Sequence, residues 1–219
     1  MRILPLLPPP LAPPHKGEGN RAVLQLATIT APFYPQLAEL GEFEEVQSDD
    51  LPADYQTLLA HDDHMTVTVE AFHGSLVDVR VLQEHRDGDV YTRASLLVRQ
   101  TDGRVVQLGI MRINLHGLSP VVRAEVESRR TPLGRILIRH NVLRHVELHR
   151  LWRIWPGPVL QQHLGLAVGW DKVPPAAESG VGSGGTLSQP TNRDCIYGRS
   201  AGIVVEGRPA VELLEIVKA

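Results

Sequence analysis

This 219-residue sequence has one cysteine, little net charge and no long apolar run. A lone cysteine cannot form an intramolecular disulfide or a cysteine-based metal cluster, so Cys195 fits a reducing compartment and we expect a cytoplasmic location. A net charge of −3 gives no support for a nucleic-acid partner or an anionic membrane partner. Without an apolar stretch of about 20 residues, no membrane-spanning helix is predicted.

Recognisable motifs of nucleophilic, nucleotide-dependent and metal-dependent enzymes are scarce. There is no G-x-S-x-G elbow or P-loop, and the glycine run at 180–185 neither follows a clear strand nor opens a helix. His145 and His149 lack the histidine-adjacent glutamate of a zinc helix, and on a strand they would share one solvated face with Glu147. The His-Asp-Asp-His segment at 61–64 is typical of a polar loop. We therefore predict no metal and no cofactor.

One domain is predicted, because 219 residues suffice for one sizeable core and are few for two. Prolines in residues 1–22 interrupt the apolar helix that a signal peptide needs, so this segment is interpreted as a disordered or artefactual N-terminal extension. The domain then occupies residues 23–219. A stretch rich in Gly, Ser and Pro predicts a flexible loop at about residues 174–191.

Periodicity predicts an α+β fold, in which helices pack across one face of an antiparallel β-sheet. Two Asp-Gly turns between β-branched runs indicate a meander, and a last hairpin is expected to turn at residues 206–209. The predicted helices are Tyr34–Phe43, Ala53–His61, Leu118–Ser128 and Thr131 to about His140. Strands are predicted from Val67, at 77–82, at Val90–Arg99, at Val105–Leu115, at Val142–Trp155, at Tyr197–Val205 and at Ala210–Val217.

The segment Thr131-Pro132-Leu133-Gly134-Arg135 has the chemistry of a helix start. Thr131 can cap the free N–H groups of a first turn, and Pro132 suits the first helical position because its missing donor is not needed there. A helix start by itself is enough to explain why these residues occur at these positions.

Two arginines and two glutamates on predicted strands are candidates for a site. Arg93 shares a strand face with Tyr91, and it either extends to water or, if inward, needs an anionic partner such as a carboxylate ligand. Arg112 has the same two interpretations. Glu212 and Glu215 differ by an odd number, so they face opposite ways, and the inward one is costly to bury unless it is paired or protonated.

Taken together, several fragments resemble the chorismate pyruvate-lyase family, which includes ubiquinone-pathway chorismate lyases and mycobacterial 4-hydroxybenzoate-forming relatives. The resemblance runs from about Leu58 to the C-terminus. It rests on Met65-Thr66, on Arg93 in its strand, on the Thr-Pro-Leu-Gly-Arg segment, on Tyr197-Gly198-Arg199-Ser200, and on Gly207-Arg208-Pro209 followed by a glutamate in the return strand.

This resemblance implies a lyase that converts chorismate to 4-hydroxybenzoate and pyruvate without a metal or redox cofactor. It implies that Arg93 receives the ring carboxylate, that the backbone N–H groups of Met65 and Leu133 contact the ligand, and that a glutamate lies near the ring hydroxyl. Glu215 matches that glutamate better than Glu212. A second arginine of some relatives aligns with Ile110, and Arg112 is the candidate replacement, so Arg112 is included among the substrate-binding residues.

Two alternatives remain open from the sequence. One is a non-catalytic module of the same fold that binds a small aromatic carboxylate, since such binding needs the same arginine. The other is a degenerate relative without activity, which the missing second arginine permits. In each case the expected partner is a small molecule, and the expected state is a monomer or a homodimer.

Overall fold

The computed structural model describes residue 23 and residues 25–142, 144–166, 195–205 and 207–219. The predicted N-terminal extension and the predicted loop at 174–191 therefore lie outside the described residues. The helices are α1 (residues 25–30), α2 (Ala53–Leu59), α3 (Met65–His73), α4 (Pro120–Glu127), α5 (Leu133–Arg139) and α6 (Pro158–Leu164). The strands are β1 (Gly41–Val46), β2 (Val77–Asp87), β3 (Val90–Arg99), β4 (Val105–Asn114), β5 (Arg144–Pro156), β6 (Ile196–Val205) and β7 (Arg208–Val217).

The seven strands form one antiparallel sheet in the order β1-β5-β6-β7-β4-β3-β2. The predicted α+β class is thus confirmed. The meander β2-β3-β4 forms one half of the sheet. Strand β4 of this meander pairs with β7, which belongs to the hairpin β6-β7. This pairing brings residues from about position 110 next to residues from about position 215.

The two faces of the sheet are covered by different helices. On one face, α2 to α5 pack against inward side chains such as Leu97, Met111 and Tyr197. On the other face, α1 and α6 cover a second layer of apolar side chains, among them Ala94, Ile110 and Leu214. Because successive strand residues alternate between the faces, most of β3, β4 and β7 is buried on both sides.

Two secondary-structure predictions near the N-terminus are wrong. The strand expected from Val67 is helix α3, in which Met65, Thr66 and Val69 are buried with helical spacing against the sheet. Its β-branched residues favour strands only weakly, and packing decides the outcome. The helix expected at Tyr34–Phe43 is instead a single 3₁₀ turn, Leu37–Glu39, followed by β1 at the edge of the sheet.

The helix start predicted at Thr131 is displaced by two residues. Helix α5 begins at Leu133, Pro132 occupies the N-cap position, and no side chain caps the first turn. Thr131 lies one residue before this N-cap position, so its hydroxyl is not the cap of the helix. Among the described residues, no side chain accepts a hydrogen bond as a cap from the first N–H groups of α5.

Candidate carboxylate-binding site

A cavity lies on the α2–α5 face of the sheet, where β3, β4, β7 and β6 run side by side. Its floor is a row of directly paired residues, one from each strand: Ser95, Gly109, Glu215 and Arg199. Ser95 is small and Gly109 has no side chain, so the row dips at its centre. The cavity offers about 60 Å³ to the centres of water molecules. One water needs roughly 10–15 Å³ by this measure, so the space suits several waters or a small compact ligand.

The walls of the cavity are mainly apolar, while its polar groups are few and separate. Apolar side chains from five strands and from α5 surround the floor: Leu97, Met111, Val146, Ile203, Leu213 and Leu133. The charged side chains at the cavity are those of Arg93, Arg199 and Glu215. Such a lining suits a ligand with an apolar body and a small number of polar substituents.

Arg93 is a buried cation without a matching anion. Arg93 is 2% exposed, and none of the described carboxylates lies within ion-pair distance of its guanidinium. The guanidinium Nη1 donates a long bond of 3.4 Å to the carbonyl of Val126, and Nε has no partner among the described residues. Burial lowers the pKa of Arg93, and the nearby Tyr91 opposes that change. Because arginine stays protonated in proteins, a bound anion would relieve this arrangement.

Glu215, by contrast, already has a cationic partner. Its Oε2 accepts a hydrogen bond of 2.8 Å from Nε of Arg199, which lies directly opposite on β6. Both side chains are almost completely buried. Oε1 has no hydrogen-bond donor among the described residues, so it can accept one from a ligand. The inward glutamate of β7 is thus Glu215, whereas Glu212 is exposed on the other face.

Arg199 also fixes the loop that leads into α3. Its Nη1 donates to the carbonyl of His61 at 2.7 Å, and its Nη2 donates to the carbonyl of Asp63 at 3.1 Å. One guanidinium therefore joins β7 to the loop that precedes Met65. Most donors of Arg199 are used within the protein, and its charge is paired with Glu215, so Arg93 is the cation with more capacity for a ligand.

His61 supports this loop as a neutral acceptor. Its Nε2 lies 2.7 Å from the carbonyl of Leu58 and must therefore carry the proton, while Nδ1 accepts from the N–H of Asp63 and lies 3.3 Å from Nη1 of Arg199. Burial, and next the positive charge of Arg199, lower the pKa of His61. The His61 imidazole therefore remains neutral at neutral pH.

The N-terminal ends of α3 and α5 meet above the floor because Gly134 allows close contact. A Cβ atom at Gly134 would lie 3.1 Å from Oγ1 of Thr66 and 3.3 Å from Cβ of His64. Arg135 pairs with Glu70 of α3 and holds the two helices together. Met65 and Leu133, the first residues of the two helices, both line the cavity.

The structure does not bring Arg112 to this cavity, so its proposed role as a replacement arginine is corrected. Arg112 shares its face with Ile110, which packs on the opposite side of the sheet, and its side chain is 45% exposed. It lies opposite Glu212 on β7 and forms an ion pair of 3.0 Å with it. The second arginine of the cavity is Arg199, which comes from β6.

Other predicted features are located as follows. His145, Glu147 and His149 are exposed on β5. Within the part of the chain that the structure describes, no group of three or more His, Cys, Asp or Glu residues is arranged to hold a metal ion. None of the helices among the described residues has the length and apolarity that a membrane crossing requires.

Arg199 lines the candidate site, but inspection of the sequence did not single it out. It stands in an apolar strand and inside one of the segments that carry the family resemblance, which are the signals that could have singled it out. Its pairing with Glu215 depends on a register shift between Ile203 and Val204. Without this irregularity, a regular hairpin would place Arg199 opposite Leu214.

No family model and no curated protein matches this chain. Among solved structures, PhnF from Mycobacterium smegmatis matches with a TM-score of 0.46 and 10% identity over 73% of this chain and 65% of that one. A GntR-family transcriptional regulator from Bacillus cereus matches with a TM-score of 0.37 and 12% identity, over 64% and 90% of the two chains. The ligand-binding domain of a putative GntR-family regulator from Bordetella bronchiseptica matches with a TM-score of 0.38 and 13% identity, over 65% and 85%. The function of this chain must be inferred from its own site.

Proposed function

We propose that this protein binds a small cyclic or aromatic carboxylate in the cavity above Ser95 and Gly109. The observation that carries the proposal is Arg93, a buried guanidinium with an unused donor and no carboxylate within ion-pair distance among the described residues. A carboxylate would accept two parallel hydrogen bonds from this group. The apolar walls would then contact the body of the ligand.

Titration with 4-hydroxybenzoate tests this proposal, and Gly109→Val is the matched variant. We expect saturable binding to the wild-type protein and binding at least about tenfold weaker in the variant, because the valine side chain would fill the dip in the floor. A Cβ atom at position 109 would have one close neighbour, Nε2 of the Gln107 side chain at 3.3 Å, and no backbone atom nearer than 4.0 Å. The strand backbone should therefore tolerate the substitution. Equal binding by a folded Gly109→Val protein would place the ligand elsewhere.

A second candidate function is the lyase reaction that forms 4-hydroxybenzoate and pyruvate from chorismate. It is favoured by one observation: Met65, Arg93, Leu133 and Glu215, which the resemblance implies as ligand contacts, all line one cavity. In this reaction the C–O bond between the ring and the enolpyruvyl group breaks, a ring proton is lost, and the ring becomes aromatic, while the released enolpyruvate takes up a proton to become pyruvate. The protein would mainly bind, orient and shield the substrate. Glu215 would accept a hydrogen bond or assist proton transfer.

Turnover separates the two functions. If the lyase proposal is right, incubation with chorismate releases equal amounts of pyruvate and 4-hydroxybenzoate, and Glu215→Gln lowers kcat by about 100-fold or more, as for loss of a general acid–base group. Glu212→Gln is the control, and its activity should be unchanged because that side chain lies on the other face. Binding of 4-hydroxybenzoate without turnover of chorismate would leave the binding module as the function.

A further inference from the structure

Gln107 carries a buried polar group that the fold itself does not use. The residue is 4% exposed, and its Oε1 is inaccessible to solvent and has no hydrogen-bond partner among the described residues. Leaving a buried polar atom unpaired is costly, and native proteins rarely do so without a reason. The amide nitrogen of Gln107 likewise has no hydrogen-bond partner in the described part of the chain.

The position of this amide relates it to the proposed carboxylate site. Gln107 lies opposite Leu97 of β3, and Arg93 lies four residues earlier on that strand, about 13 Å away along its axis. Between them lie Ser95 and Gly109, whose small size leaves the space open. The amide of Gln107 extends toward this space, since its Nε2 is 3.3 Å from the place where a Cβ of Gly109 would be.

The cavity therefore has two polar ends on one floor. At one end is a cation that can bind a carboxylate, and at the other is an amide with free hydrogen-bonding capacity. A hydroxyl group both donates and accepts, so it satisfies such an amide in either orientation of its oxygen and nitrogen. An apolar group at the same place would leave the amide buried and unpaired.

We propose that Gln107 determines ligand specificity, by hydrogen-bonding a hydroxyl group of the ligand at the end remote from the carboxylate. This inference rests on the proposed binding of a carboxylate at Arg93. It predicts that hydroxylated ring carboxylates bind in preference to unsubstituted ones. Glu215 does not satisfy this amide: among the described residues its carboxylate accepts from Arg199 and forms no hydrogen bond with Gln107.

The test compares benzoate with 2-, 3- and 4-hydroxybenzoate on the wild-type protein, on Gln107→Met and on Gln162→Met. Gln162 is exposed on α6 and serves as the control. In the wild type and the control, we expect at least one hydroxybenzoate to bind about fivefold or more tightly than benzoate. Benzoate leaves the buried amide of Gln107 without a hydrogen-bond partner, and this costs binding free energy. In Gln107→Met this ratio should fall to about one, while the affinity for benzoate itself stays within about threefold.

Chemical denaturation of the ligand-free proteins gives a second measurement. Gln107→Met should be as stable as the wild type or more stable, because it removes an unpaired buried oxygen. A large loss of stability would show a structural role for Gln107 and overturn the proposal. So would a hydroxyl preference that persists in Gln107→Met, or a wild-type protein that binds benzoate and all three hydroxybenzoates equally. Failure of all four compounds to bind would instead overturn the proposed function on which this inference rests.

Discussion

Replacing Arg93 by methionine is expected to weaken the binding of 4-hydroxybenzoate by at least about 100-fold. Hydrogen bonds to charged groups contribute about 1.5–3 kcal/mol each, and a carboxylate on the guanidinium would lose two of them. A loss of about 3 kcal/mol corresponds to a factor of roughly 100 in Kd. Isothermal titration of the purified proteins would measure it.

The same substitution should leave the ligand-free fold as stable as before, or more stable. In the wild type, Arg93 is buried without an ion pair among the described residues, and its bond to Val126 is long. Replacing buried ionic groups by apolar side chains of similar volume is often neutral or stabilising by about 1–4 kcal/mol. Loss of binding together with retained stability is the signature of a residue kept for a ligand.

Arg112→Met is the control for this prediction. Arg112 is also a strand arginine, but it lies on the other face in an exposed pair with Glu212. Exposed ion pairs contribute about 0–1 kcal/mol, so both binding and stability should change little. If Arg93→Met binds 4-hydroxybenzoate as the wild type does, or if it unfolds while Arg112→Met does not, Arg93 has a structural role and the proposed function fails.

Much of the sheet could be predicted because the relevant signals are local. Asp-Gly turns and β-branched runs locate β3 and β4, and alternation correctly places Arg93 on the face of Ser95 and Leu97. The opposite orientations of Glu212 and Glu215 follow from the same two-residue period. These features depend on no contact distant in sequence.

The remaining features depend on packing between distant segments. Helix α3 has a strand-like composition, and its helical state follows from its burial against β-strands far away in the sequence. The neighbouring positions of Arg199 and Glu215 depend on a register irregularity in the hairpin. Arg112 was assigned to the site by aligning it with a missing arginine, and the strand register that pairs Arg93 with Met111, and so puts Arg112 on the other face, is not visible in the sequence.

The largest loss of stability is expected from Arg199→Met. This change would leave the carboxylate of Glu215 buried without its cation, and it would remove the donors to the carbonyls of His61 and Asp63. Removing one partner of a buried pair costs about 3–5 kcal/mol. For a chain of this size, that loss lowers Tm by roughly 6–20 °C.

A double-mutant cycle with Glu215→Leu distinguishes the two parts of this cost. If the unpaired carboxylate is the main cause, Arg199→Met combined with Glu215→Leu should recover about 1–3 kcal/mol relative to the sum of the single changes. The remaining loss of unfolding free energy is then due to the missing hydrogen bonds to the carbonyls of His61 and Asp63. Urea denaturation of the four proteins gives the coupling free energy.

The exposed pair of Arg112 and Glu212 provides a matched cycle, because it is also an arginine opposite a glutamate on neighbouring antiparallel strands. The two pairs differ chiefly in burial, so the exposed pair should show a coupling free energy below about 1 kcal/mol. Similar coupling in both cycles would mean that burial does not set the strength of the pair of Arg199 and Glu215. In that case, Arg199 would stabilise the site mainly through the loop before α3, which sets the position of Met65 at the cavity.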